Sequence, residues 1–230
     1  MTRAPRCPTF PPMRISLVRG NSTEQLDLVP SKIIGIGLNS RAHAMEMGKG
    51  LPEEPLMFLK PHSAMIAGGE PIERPPGYER VDYEAELGVV IGQRARRVPR
   101  ERALDFVLGY CCVNDVTVRD LQKRDVQYSR AKGFDTFCPL GPRIVAGLDP
   151  SRLAIRTRVN GELKQDSSTA DMIFDVPHLI AFVSAHMTLE VGDVITTGTP
   201  SGVGNLVPGD EVEVEIEGIG VLHNTVTARS

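Results

Sequence analysis

The chain has 230 residues, 41% hydrophobic and 24% charged, an ordinary globular balance with apolar material for one sizeable core. Its 26 Lys and Arg against 29 Asp and Glu leave a net charge of −3, which gives no support to nucleic-acid binding or to a polybasic membrane contact. No stretch approaches the roughly 18 apolar residues of a membrane helix, and the opening M-T-R-A-P-R-C-P-T-F-P-P lacks the apolar segment of a secretory signal, so a cytoplasmic protein is expected.

In chain order, the proline-rich start reads as an arm. Met13 to Val18 then reads as a strand, R-G-N-S as a turn and Gln25 to Val29 as the partner strand. Ile33 to Leu38 is a short strand, and Asn39-Ser40 can cap a short helix over Arg41 to Met47 that Gly48 and Gly50 terminate. Leu56 to Leu59 is a strand and Ala67 to Val81 a loop rich in Gly and Pro. The strand D-Y-E-A-E-L-G-V-V-I-G from Asp82 to Gly92 follows, then a basic turn and a helix over Arg100 to Phe106 led by Pro99. Leu108 to Val113 is apolar and ends at Asn114-Asp115. Thr117 to Tyr128 reads as helix, and Ala131 to Leu140 as irregular.

Ile155 to Val159 opens a hairpin through the Asn160-Gly161 turn, and Pro177 to His186 is an amphipathic helix. Val194 to Thr197 leads into a glycine-rich loop, Gly198 to Gly204, that lacks a P-loop lysine. Glu211 to Ile216 alternates strictly, glutamates to water and apolar residues to the core, and Val221 to Val226 closes the count. About a dozen short strands with three or four helices and no regular βαβ alternation make the fold α+β and predominantly β, a rolled or closed sheet. The cysteines Cys7, Cys111, Cys112 and Cys138 have no C-x-x-C spacing, and the adjacent pair reads as reduced core residues.

The chemistry concentrates in D-Y-E-A-E-L-G-V-V-I-G. Side chains two apart on a strand share a face, so Glu84 and Glu86 project together beside a strongly apolar run. Most such pairs lie on a solvated face, but the apolar continuation argues for burial. Like charges held together need a cation or a shared proton. Asp115, closing another apolar strand, is the best third carboxylate, and three hard oxygen donors suit Mg²⁺ or Mn²⁺ better than Zn²⁺. His43 and Glu46 lie three apart on one helix, hence on one face, where they are either an exposed surface pair or a base with its orienting carboxylate. Lys132 is a solvated lysine or a fixed positive charge for a substrate carboxylate. Arg119 and Asp120 read as a local structural pair, and Lys60 as a weaker candidate for lining the site.

Six blocks in order carry a resemblance: G-I-G-L-N-S-R-A-H-A-M-E-M, F-L-K-P, D-Y-E-A-E-L-G-V-V-I-G, N-D-V-T-V-R-D-L-Q, A-K-G-F-D-T-F-C-P-L-G-P and T-G-T-P-S-G-V-G. From Lys32 onward the chain resembles the fumarylacetoacetate hydrolase family, and within it the small members acting on acylpyruvates and 2-oxo-dicarboxylates. The resemblance implies a mixed β-sandwich roll of that family's C-terminal-domain type over residues 31–230, behind an arm and short hairpin over 1–30. It implies a homodimer, Mg²⁺ or Mn²⁺ on Glu84, Glu86 and Asp115, and His43 with Glu46 as a water-activating pair on a lid helix. It further implies Lys132 as a catalytic lysine, and Gln122 and Thr199 as substrate contacts. One departure is Asn39-Ser40, where the family often has Asn-Tyr.

The implied activity is hydrolysis of a C–C bond in an acylpyruvate-like 2-oxo acid, such as fumarylpyruvate or acetylpyruvate, through an enolate that the metal stabilises. Isomerisation or decarboxylation of a 2-oxo-dicarboxylate in aromatic catabolism runs through the same enolate and is the alternative. A non-catalytic cation-binding β-domain is the alternative of another class, although it has no use for His43, Glu46 or Lys132.

Overall fold

Short apolar stretches punctuated by Gly and Pro form strands here, because alternating side chains bury one face while the turns reverse the chain. The computed structural model describes residues 11–46, 48 and 50–229. The expected arm over residues 1–10, Cys7 and the helix end at Met47 lie outside these. In order, the elements are β1 (Met13–Arg19), β2 (Ser22–Leu28), β3 (Ile33–Gly37), α1 (Arg41–Glu46), β4 (Leu56–Lys60), β5 (Met65–Ile66), β6 (Ile72–Arg74) and β7 (Val81–Tyr83). Next come β8 (Ala85–Ile91), β9 (Val107–Asn114), β10 (Thr117–Val118), α2 (Arg119–Arg124), α3 (Ser129–Lys132) and β11 (Cys138–Val145). The chain closes with β12 (Ala154–Val159), β13 (Glu162–Ser168), α4 (Val176–His186), β14 (Val194–Thr196), β15 (Gly204–Asn205), β16 (Glu211–Ile216) and β17 (Gly220–Ala228).

Three sheets result. The largest runs β2-β1-β11-β9-β8-β14-β3-β4 with β5 beside β11, a second runs β13-β12-β16-β17-β6, and a small one runs β10-β7-β15. Pairing is mixed: β8 is antiparallel to β9 and β14, whereas β1 is parallel to β11 and β14 to β3. The five-stranded sheet packs on the large one through contacts of β12 with β8, β16 with β9 and β17 with β11. The mixed, strand-dominated roll expected from the sequence is the architecture formed.

All seven residues of β8 are buried, and its alternation serves two cores. Ala85, Leu87, Val89 and Ile91 pack with Leu179, Ile180 and Val183 of α4, while Val90 packs on the opposite face with Cys111 and Val113 of β9. Burying a Leu, Val or Ile side chain contributes about 1.5–3 kcal/mol, so β8 is firmly anchored. Gly88 is needed for close approach: a Cβ there would sit 2.6 Å from Cys111 Sγ and 2.7 Å from Val113 Cγ2.

Local outcomes differ from the sequence expectation at several places. The stretch Thr117 to Tyr128 is not one helix but β10, α2 and a bend before α3, because Thr117 and Val118 pair with Asp82 and Val81. Arg100–Phe106 is a 3-10 helix. The Ala67 to Val81 loop contains β6, which β17 recruits in parallel. The Asn160-Gly161 hairpin forms as read, with both residues at positive φ (52° and 79°), as a tight two-residue turn between right-twisted strands requires.

Candidate metal and active site

The sequence reads Glu84 and Glu86 on one unbroken strand, but the structure breaks that strand at Glu84. There the chain leaves the small sheet (β7) and joins the large one (β8). The break is stitched by side-chain and backbone bonds: Glu84 N–H donates to Asn114 Oδ1 (2.9 Å), and Asp115 N–H donates to the Glu84 carbonyl (2.8 Å). Asp115 stands just beyond β9, whose Asn114 pairs with Ala85. All three carboxylates are buried, and one oxygen from each lies within 4.8 Å of the others.

Burying three carboxylates is costly unless cations or donors compensate them. Lys132 Nζ donates to Glu84 Oε2 (2.7 Å) and also to Asp115 Oδ2. Lys60 Nζ, itself buried, holds the other oxygen of Asp115 at 2.5 Å. Arg119 Nη2 lies 2.5 Å from Glu84 Oε1, while its Nε donates to Asp82 (2.7 Å) and its Nη1 to Gln122 Oε1 (2.7 Å). Burial works to raise the Glu84 pKa, but Arg119 and Lys132 outweigh it and hold that group down to about 2. Burial also opposes the charge on Lys132, yet Asp115 and Glu84 prevail and raise its pKa.

Glu86 differs. Among the described residues it has no cation within ion-pair distance, and one oxygen accepts the Gly198 N–H at 2.8 Å. Burial, then the charges of Asp115 and Glu84, push its carboxyl well above the usual range. Gly198 is at φ +93°, and a Cβ there would sit 2.7 Å from Asn39 Cβ, so the donor loop depends on glycine. Three buried hard oxygen ligands with uncompensated charge at one of them fit a divalent cation such as Mg²⁺ or Mn²⁺.

A cavity of about 280 Å³ opens over this cluster. His43, Glu84, Glu86, Gln122, Lys132 and Thr199 line it, so six of the eight site residues read from the sequence meet there. Asp115 lies beneath, held by the two lysines. Glu46 is half exposed and outside the lining, behind His43, with Oε2 3.1 Å from His43 Nδ1. A carboxylate can only accept, so this contact keeps the imidazole proton on Nδ1 and leaves Nε2 as the basic nitrogen. Thr199 Oγ1 accepts from Gln165 Nε2 (2.9 Å). The fully buried Gln165 also accepts from Ala85 N–H, tying the Thr199 loop to the backbone between Glu84 and Glu86.

Two residues were undervalued in the sequence. Arg119 does not pair with Asp120, whose carboxylate accepts from Arg80 N–H. Arg119 is instead the counter-ion of Asp82 and Glu84 and lines the cavity. Adjacent residues leave a helix in different directions, so its partners are 37 and 35 positions back. Lys60 is a second anchor of the cluster. Its signal was legible in the period of two: it shares the inward face of β4 with Phe58, whose ring lies 4.7 Å from Lys132 Nζ.

The family model for the fumarylacetoacetate (FAA) hydrolase C-terminal domain matches residues 32–227. The chain belongs to the fumarylacetoacetate hydrolase family. Among relatives of this family, the Bacillus subtilis oxaloacetate tautomerase YisK is 47% identical over 214 residues, covering 86% of this chain and 70% of that one. The structure of a 5-carboxymethyl-2-hydroxymuconate delta-isomerase from Mycobacterium smegmatis is 41% identical, with a TM-score of 0.85 over 95% of this chain and 100% of its own. A fumarylpyruvate hydrolase from Pseudomonas aeruginosa, solved with Mn²⁺ and pyruvate, is 29% identical with a TM-score of 0.84. That match covers 94% of this chain and 97% of the other. Among the described residues no helix is long and apolar enough to cross a membrane.

Proposed function

We propose that this family member is a Mg²⁺- or Mn²⁺-dependent enzyme that cleaves a C–C bond of a small acylpyruvate-like 2-oxo acid by hydrolysis through an enolate. The observation that carries this reading is one cavity with Glu84, Glu86 and Lys132 on its floor and His43, oriented by Glu46, in its wall. A divalent cation held by Glu84, Glu86 and Asp115 supplies, when bound, Lewis-acid stabilisation of enolate charge. Glu46 keeps the proton on His43 Nδ1, and His43 Nε2 takes a proton from water. The hydroxide adds to the distal carbonyl, the bond to the pyruvyl carbon breaks, and its electron pair passes into the enolate of pyruvate, which a proton then quenches. Lys132, Gln122 and Thr199 orient the carboxylate end of the substrate.

A second reading is tautomerisation or isomerisation. It is favoured by the identity to relatives named tautomerase and isomerase, 47% and 44%, against 42% and 29% to structures named hydrolase. In it His43 moves a proton between carbon and oxygen, and no bond to carbon is hydrolysed.

The test is a panel of acetylpyruvate, fumarylpyruvate, oxaloacetate and dienedioates with Mg²⁺ or Mn²⁺, followed by enol absorbance, released pyruvate and released CO₂. Pyruvate formed in step with loss of acylpyruvate supports hydrolysis. Equilibration of oxaloacetate enol without pyruvate supports the second reading, and CO₂ release marks decarboxylation. If no acid is converted while Mn²⁺ still raises the melting temperature, the protein is a cation-binding domain.

A further inference from the structure

Ser40 does not line the main cavity. Its hydroxyl faces the other way and works on the backbone of α1. Ser40 Oγ accepts the N–H of His43 (3.1 Å), satisfying one of the free donors of the helix start, and donates to Asp171 Oδ2 at 2.6 Å. The same Asp171 oxygen accepts the N–H of Ala42 at 3.2 Å. Two successive free donors of α1 are thus satisfied, one from Ser40 and one from a residue 129 positions away. A carboxylate there also suits the positive end of the helix.

The surrounding contacts make this a dock rather than an isolated cap. Ser40 bridges to Met172, and Arg41 Nη1 donates to the Met172 carbonyl at 2.6 Å. Asn39 accepts from Phe174 N–H (2.8 Å) and donates to the carbonyls of Phe174 (3.0 Å) and Thr197 (2.7 Å). Just before them Leu38 is held at φ +55°, a conformation that is strained for a non-glycine residue and persists only where its neighbours over-determine it. At the other end of α1, Met45 and Glu46 are exposed, and among the described residues Glu46 ties by its side chain to His43 itself. A helix of six residues is too short to hold itself. Its place over the cavity therefore rests on its N-terminal dock together with the burial of His43 and Ala44.

We propose that Ser40 and Asp171 are positioning residues for His43: together they fix the first turn of α1 and so set where the imidazole stands over the carboxylate cluster. This rests on the reading of His43 as the base. Their removal lowers kcat while leaving KM and metal affinity near wild type, because neither residue lines the cavity or touches the metal ligands.

The experiment compares wild type with Ser40→Ala, Ser40→Thr, Asp171→Asn and Asp171→Ala, all loaded with Mn²⁺. It measures hydrogen exchange of the segment 40–46 without substrate, and kcat and KM with the best acid of the panel. Losing a cap should speed exchange of the Ala42 and His43 amides by about tenfold, with a kcat loss of similar size. Ser40→Thr, which keeps the hydroxyl, should restore both. Exchange and kcat within about twofold of wild type in Ser40→Ala and both Asp171 variants would overturn the proposal, as would faster exchange with unchanged kcat. If wild type converts no acid at all, the reading of the site fails, and exchange alone still decides whether the pair holds His43 in place.

Discussion

The two halves of the site are built in opposite ways. The carboxylates stand on or beside deeply packed strands: β8 is buried end to end, and Glu84 and Asp115 are each gripped at both oxygens by Lys132, Arg119 and Lys60. The His43–Glu46 pair stands on a six-residue helix with one end docked and the other exposed. A rigid floor suits ligands that must hold a fixed geometry against their own repulsion, because relaxation would scatter them. A lightly held wall suits a group that must admit substrate and then close on it.

The largest effect should come from the floor. Glu86→Gln removes the one carboxylate of the cluster without a cationic partner, so Mn²⁺ binding by calorimetry and all metal-dependent turnover should be lost. The metal-free melting temperature should hold or rise, since Gln needs neither a proton nor a counter-charge in that buried place. Full turnover in this variant would remove the floor from the comparison altogether. In the wall, His43→Ala should cost about 10²–10⁴ in kcat, the usual worth of a general base, with Mn²⁺ affinity unchanged by calorimetry. A parallel loss of metal affinity would mean that the two halves are one unit.

Proton competition sharpens the contrast further. Burial and the Asp115 charge raise the Glu86 pKa, so below that raised value Glu86 is protonated, and a cation must displace the proton. Mn²⁺ affinity should therefore fall by about tenfold per pH unit as pH drops through it, beginning above the ordinary carboxylate range of ~4.3. Glu84, held down to about 2, stays ionised throughout and adds nothing to this slope. Affinity that stays flat down to the ordinary range would show that Glu86 carries no extra proton.

The smallest effect is the absence of one. Burial pushes Cys112 and Cys138 up to about 12 and Cys111 well above the usual thiol value. At pH 8 these thiols remain protonated and sealed in or beside the large sheet, so iodoacetamide should leave all three unmodified in the native protein by mass spectrometry. Rapid labelling of Cys111 would mean that the floor opens as readily as the wall.

Much of this was visible in the residues. Alternation placed Glu84 and Glu86 on one face, the apolar run Leu87–Ile91 argued their burial, and the three-residue spacing of His43 and Glu46 put them together on a helix. The break at Glu84 was not visible, because it arises where the chain passes from one sheet to another, and the strand partners on its two sides, Thr117 for Asp82 and Asn114 for Ala85, lie 35 and 29 positions away. Nor was the role of Ser40, which depends on Asp171 arriving from beyond the β12–β13 hairpin.

The carboxylate cluster is therefore known from two sources. Residue type and period established that acidic groups would stand together next to a core, and that they would require positive charge. Which positive charges answer them was settled in space: Lys60 from β4, Arg119 from α2 and Lys132 from α3 converge on Glu84 and Asp115 and leave Glu86 unanswered. Alternation is a local property of the backbone and can be read along the chain. Charge compensation falls with distance through space, and distance through space exists only once the sheets have packed.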